Sequence, residues 1–188
     1  EDLYALYINN AKLIKREPSS TIYLKEEIQT DPKKLQAIRK SINNGIKSSK
    51  NDDFDSFMNI VNEILTGKYN KTATHTKEEI KLLAERFPEN IKLYSAFKDN
   101  LMIAGLITFE TKNVLHIQYA ANINTGQKIR ALENIYNLLI NSCEKKFFDY
   151  GISSENDGKY LNLGLIRQKE EYGARTITYD TYEMEADV

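Results

Sequence analysis

Two ionisable residues sit in strand-like surroundings where they could move a proton, His116 and Asp149. His116 stands in VLHIQYAA, and imidazole is the side chain whose ordinary pKa suits a general base near neutrality. It alternates with Ile117, so it can equally face a solvated or helix-covered side. Asp149 stands in Phe147-Phe148-Asp149-Tyr150, where a carboxylate can orient a partner, take a proton, or be engaged by backbone N–H groups or Lys169. Glu110 closes an earlier strand and is a further carboxylate candidate. Between His116 and Asp149 runs the polar turn Asn122, Ile123, Asn124, Thr125, Gly126, Gln127 and Lys128. A strand that feeds a helix through such a turn leaves the first helical N–H groups unpaired, a ready anion site. Lys128 and Arg130 at that helix start oppose its macrodipole; an anion would offset the cost, or both project into water.

Other reactive types carry less. The single cysteine, Cys143, falls on the apolar face of the following helix and reads as a small buried hydrophobe, and His75, between Thr74 and Thr76, reads as a solvent-facing loop residue. No Cys/His cluster has metal-ligand spacing, so no metal is expected. One cysteine excludes an internal disulfide and points to a reducing, cytoplasmic setting. The chain has 188 residues, 41% hydrophobic and 28% charged, as in an ordinary globular protein. A net charge of -1 gives no global attraction for nucleic acid, and no apolar run reaches the length of a membrane span. Because the chain begins at Glu1 rather than Met, it is expected to be a fragment or a processed form.

The elements that must position these residues follow from periodicity. Residues 2–24 are expected to give one or two strands, LYALYI and TIYL among them, or an irregular lead-in. Asp31-Pro32 starts a helix expected over 32–44, with Asp as N-cap and Pro in the first turn. A short strand over 46–49 precedes a helix striped by Phe54, Phe57, Met58, Val61, Ile64 and Leu65. Thr76 and Glu79 have capping-box spacing for the next helix, which Pro88 ends. The period then changes to two. Ile91–Phe97, Leu101–Phe109 and Val114–Ala121 are three strands whose short links make them antiparallel, the middle one apolar on both faces and therefore central. A long helix from Asn124 or Thr125 through Cys143, a strand at 147–150, a helix over 159–172 and a final strand or hairpin over 174–184 complete the chain.

Counted from Ile46, the order β, α, α, three antiparallel β, α, β, α, β resembles the GNAT (GCN5-related) N-acyltransferase superfamily. Phe148-Asp149-Tyr150-Gly151-Ile152-Ser153, followed by Gly164-Leu165 and Lys169-Glu170-Glu171-Tyr172-Gly173-Ala174, resembles its FemAB-like branch, as does Ile38-Arg39-Lys40-Ser41 with Asn44-Gly45. The resemblance covers Leu35 to Glu183. It implies an α/β (α+β) fold with a mixed, mostly antiparallel central sheet and helices on both faces. Residues 45–184 would form the GNAT-like domain, 1–44 a lead-in left from a preceding half-domain, and 185–188 a tail.

The resemblance also implies a mechanism. An acyl group, from acyl-CoA such as acetyl-CoA, would pass to an amine of a cell-envelope sugar or peptide precursor in a cleft where Val114–Ala121 and Phe147–Tyr150 part. The phosphates of CoA would rest on Asn122 to Lys128. Asp149 or His116 would handle the amine proton, Tyr160 would be the acid, and Glu110 and Lys169 would contact substrate. Lys169 and Glu170 are adjacent on a helix, so only one of them can reach the cleft. The turn, however, has one glycine, Gly126, where the common GNAT loop has two small residues. Two alternatives follow: aminoacyl transfer from charged tRNA, and a non-catalytic binding module.

Overall fold

The computed structural model describes residues 2–185, so the expected tail lies outside the described residues except for Glu185. A seven-stranded sheet carries the structure. Its strands are β1 (Lys12–Tyr23), β2 (Lys47–Asn51), β3 (Ile91–Lys98), β4 (Leu101–Glu110), β5 (Val114–Asn122), β6 (Phe147–Ile152) and, last in the chain, β9 (Arg175–Glu183). They lie in the order β2-β3-β4-β5-β6-β1-β9. Only β5 and β6 run parallel in this sheet; the other neighbours are antiparallel, and β4 is an interior strand, as its two apolar faces require. Two further strands, β7 (Ser154–Glu155) and β8 (Tyr160–Leu161), form a small separate hairpin. The architecture is therefore the mixed α/β, mostly antiparallel sheet expected.

Helices cover both faces. On one side α3 (Phe54–Ile64) and α4 (Lys77–Arg86) bury Phe57, Met58, Val61 and Ile80 against Leu93, Ile107 and Ala121. On the other, α6 (Ala131–Ser142) meets Leu106, Leu115, Ile117, Phe148 and Tyr150 through Ala131, Ile135, Tyr136 and Leu139, and α2 (Pro32–Asn43) packs against α6 with Ile38 turned to the same cluster. Local signals act as their chemistry dictates. Asp31 accepts from Lys33 N–H with Pro32 in the first turn, and Thr76 and Glu79 close a reciprocal capping box at α4. Gly105 lets β4 approach α3 closely: a Cβ there would stand 2.4 Å from Phe57 Cδ2.

The structure departs from the sequence reading in four places. LYALYI is not a strand but helix α1 (Asp2–Ile8), none of whose residues is buried. Residues 12–23 form a single long strand that pairs β6 on one side and β9 on the other. Pro18 is tolerated because it lies beyond the paired rungs of β1 and β6, where it offers only its carbonyl, which accepts from Ser153 N–H at 2.8 Å, while β9 runs along its other side. The long helix expected from residue 124 is two: α5 (Asn124–Lys128) and α6, separated at Arg130, whose φ of 64° lies in the left-handed region. The last helix, α7 (Leu163–Glu170), starts later than expected because Asn162 caps it, accepting from Leu165 N–H.

Candidate functional site

Strands β5 and β6 pair over three rungs, Val114 with Phe147, Leu115 with Phe148 and His116 with Asp149, and then part. Both strands are bent at that point by an extra residue. On β5 the register against β4 jumps between Ile117 and Tyr119, leaving Gln118 unopposed. On β6 the register against β1 jumps between Asp149 and Ile152, where Gly151 supplies a φ of +79°. A bulge bends its strand, and with β5 bent against β4 and β6 bent against β1 at the same level the two strands part.

The last closed rung carries the dyad. His116 Nδ1 is 2.7 Å from Asp149 Oδ2. The other oxygen, Oδ1, accepts from Ser19 Oγ at 2.6 Å, Thr21 Oγ1 at 3.1 Å and Gly151 N–H at 3.1 Å. Burial alone would push the Asp149 carboxyl up, but hydrogen bonds from His116, Ser19 and Gly151 outweigh it and hold the group below its ordinary value. An ionised carboxylate only accepts, so the dyad hydrogen sits on Nδ1 and, in the neutral ring, Nε2 keeps its lone pair. The His116 side chain is 36% exposed and Asp149 only 3%, so the ring meets solvent while its partner does not.

On the far side of Gly151 stands Lys169, from α7. Its Nζ donates to Gly151 O at 2.8 Å, Ile152 O at 2.7 Å and Ser153 Oγ at 3.0 Å. These three acceptors use all three ammonium hydrogens, so Lys169 ties down the bulged end of β6 rather than reaching outward. Burial lowers its pKa to about 8, against a raising influence from Asp149. Glu170 is exposed and bonds Thr176, so of this adjacent pair only Lys169 reaches the cleft.

The gap opens on a cavity of about 240 Å³ lined by Ile117, Gln118, Tyr136, Tyr150, Lys169 and Tyr172 among others. Its inner wall is aromatic: Tyr150 stacks on Tyr172 at 5.7 Å, and Tyr136 meets both edge-on at 5.2 and 5.3 Å. Lys34 lies 4.8 Å from the Tyr172 ring centroid.

The other sequence candidates lie elsewhere. Glu110 is buried in a polar cluster, accepting from Thr108 Oγ1 at 3.1 Å and Lys92 Nζ at 3.0 Å, with Lys145 at 3.8 Å. It lines a different cavity with Cys143, whose thiol burial pushes up. Tyr160 is on β8, opposite Glu155 and 56% exposed, not at the start of a helix. Asn122 to Lys128 make the end of β5 and the single short turn α5. There Gly126 is buried against β4, and a Cβ would stand 2.3 Å from Ile103 O, so its glycine serves that contact. The first turn of α6 carries its own carboxylate, Glu133, buried and 3.5 Å from Arg130. Ser19 and Thr21 are site residues that the sequence reading does not name, and the small-hydroxyl run Ser19-Ser20-Thr21 within a strand is their one sequence signal; Tyr150 and Tyr172 stand inside the FemAB-like motifs with no role assigned to them.

Neither a protein-family model nor a curated protein sequence matches the chain. Solved structures do. FemX superposes with a TM-score of 0.75 at 9% identity, covering 95% of this chain and 67% of that one. The fold is GNAT-like and is shared with FemX. L-PGS from Bacillus licheniformis superposes at 0.67 with 10% identity, over 94% of this chain and 64% of that one. A chain from Clostridium difficile 630 described as a possible acetyltransferase gives 0.55 at 14% identity, over 76% of this chain and 99% of its own. The chain thus spans about two thirds of the length of FemX and L-PGS. Among the described residues no helix is long and apolar enough to cross a membrane.

Proposed function

We propose that this GNAT-like chain transfers an acyl or aminoacyl group to an amine at the gap between β5 and β6. The observation that carries the reading is the placing of the His116–Asp149 dyad on the last paired rung before the strands part. An attacking amine must shed a proton as the new C–N bond forms and the donor's leaving group departs. His116 Nε2, with Nδ1 fixed by a buried carboxylate, is the base. Asp149 acts through His116 and is a positioning residue, and Lys169 holds the Gly151–Ser153 segment that frames the gap.

The acceptor class we propose is an amine of a cell-envelope sugar or peptide precursor, in keeping with the FemAB-like motif around Asp149 and Lys169. Acyl-CoA is the first donor to consider. A second reading, aminoacyl-tRNA as donor, is favoured by two observations: Gly126 is spent on packing against β4, and the α6 start already holds the buried Glu133 carboxylate, which repels a pyrophosphate. Calorimetry with acetyl-CoA and a low-salt gel shift with charged tRNA test the two. Binding of either supports transfer, and silence from both at millimolar acetyl-CoA and micromolar tRNA removes the proposal in favour of a binding module.

A further inference from the structure

The two edges of the seven-stranded sheet differ in character. On one side β2 has five residues, two of them lysines, Lys47 and Lys50, and a short charged edge of this kind resists pairing with another strand. On the other side β9 runs nine residues, carries no lysine, and exposes Ile177 (42%) and Tyr179 (49%). Among the described residues the β9 backbone bonds only to β1. Which of its groups face outward follows from Pro18. The Pro18 carbonyl accepts from Ser153 N–H, so it points toward β6 and away from β9. In an antiparallel ladder the residue opposite then turns its own N–H and C=O away as well, and that residue is Thr178. By alternation Thr176, Asp180 and Tyr182 also direct their backbone groups to the open side.

We propose that β9 pairs with β9 of a second copy of this chain, antiparallel and centred on Tyr179, so that two sheets join into one around a two-fold axis. Two conditions set the register: bonded rungs must join outward-pointing residues, and opposed side chains must not carry like charges. Centred on Tyr179, all nine residues overlap. Thr178 meets Asp180 of the second copy and Thr176 meets its Tyr182, each rung exchanging two hydrogen bonds. Tyr179 meets its own counterpart on a non-bonded rung, where side chains approach most closely. The same register sets Arg175 opposite Glu183 at both ends. Arg175 otherwise bonds only the carbonyl of Ala174, and Glu183 makes no ion pair among the described residues. A centre on Asp180 would set two carboxylates face to face, and a centre on Thr178 would leave Glu183 beyond the end of its partner strand. Opposed residues in a ladder share a face, so both His116–Asp149 dyads open on the same side of the joined sheet.

The test is the mass of the chain in solution, by analytical ultracentrifugation from about 1 to about 200 µM. The parent should approach twice the mass of one chain. Thr178→Pro removes an outward N–H that no group among the described residues uses, so this variant should keep the parent's circular dichroism and stay monomeric. Arg175→Glu should weaken the dimer at least about tenfold, and adding Glu183→Arg to it should restore affinity to within about threefold of the parent. A parent chain that stays monomeric at the highest concentration overturns the proposal and leaves the edge to a strand of another polypeptide. So does an assembly larger than two, or a folded Thr178→Pro chain that still dimerises. If Thr178→Pro does not fold, the charge pair decides: no weakening by Arg175→Glu, or no recovery in the double variant, overturns the proposal.

Discussion

His116 and Asp149 face each other across the last rung of the only parallel pair in the sheet, Nδ1 2.7 Å from Oδ2, and the strands separate immediately beyond them. The dyad therefore stands at the rim of the gap, with its carboxylate end closed by Ser19, Thr21 and Gly151 and its imidazole end open.

The charge on Asp149 has a stability consequence with a definite sign. Its folded pKa lies below the ordinary carboxylate value, so the folded state binds the proton less readily than the unfolded chain. The contribution is complete above the unfolded pKa and is lost as pH falls from about 4 through the folded value. Denaturant titrations from pH 7 to pH 2.5 should show this loss, and Asp149→Asn should remove its share of the slope while costing about 1–3 kcal/mol at neutral pH through disrupted buried hydrogen bonds.

Lys169 behaves oppositely. Burial depresses its pKa to about 8, so between pH 8 and its unfolded value the folded state has shed a proton the unfolded chain still holds. Stability contributed by this residue rises with pH across that window. Lys169→Met should flatten the rise. It should also free the carbonyls of Gly151 and Ile152, seen as faster amide exchange around Gly151–Ser153 than in the parent chain.

Gly126→Ala separates two uses of that glycine. With a Cβ placed 2.3 Å from Ile103 O, the variant should lose about 1–3 kcal/mol in denaturant unfolding with no ligand present. An unchanged midpoint would show that the α5 turn is not held against β4 as described.

Much of this architecture was legible in the sequence because the signals were local and redundant. Asp31-Pro32, the Thr76/Glu79 box and the continuous apolar run Leu101–Phe109 each name their element, and the motif around Asp149 and Lys169 falls on a strand and a helix that the structure brings together at Gly151 and Ser153. What was missed depends on contacts distant in sequence. Ser19 and Thr21 reach Asp149 from 130 and 128 residues away, so nothing near them signals the role. The break at Arg130 has no glycine or proline to mark it, and α1 buries no side chain that would set a period.

Tyr160 provides a negative control. It is more than half exposed on the β7–β8 hairpin, so Tyr160→Phe should retain the activity of the parent within about twofold, as expected for an exposed substitution outside the machinery. A loss of two orders of magnitude would place the acid on this hairpin and extend the site beyond the gap.

The central claim is that the β5–β6 gap is a transfer site served by His116. The direct measurement is single-turnover transfer of a labelled acyl or aminoacyl group from acetyl-CoA or charged tRNA to amino-sugar and peptide amines, comparing the parent chain with His116→Ala. The account predicts labelled amide from the parent and a fall of about 100-fold or more in the variant, with donor binding unchanged. Transfer that proceeds equally well without the imidazole, or no transfer from either donor to any amine, would contradict it.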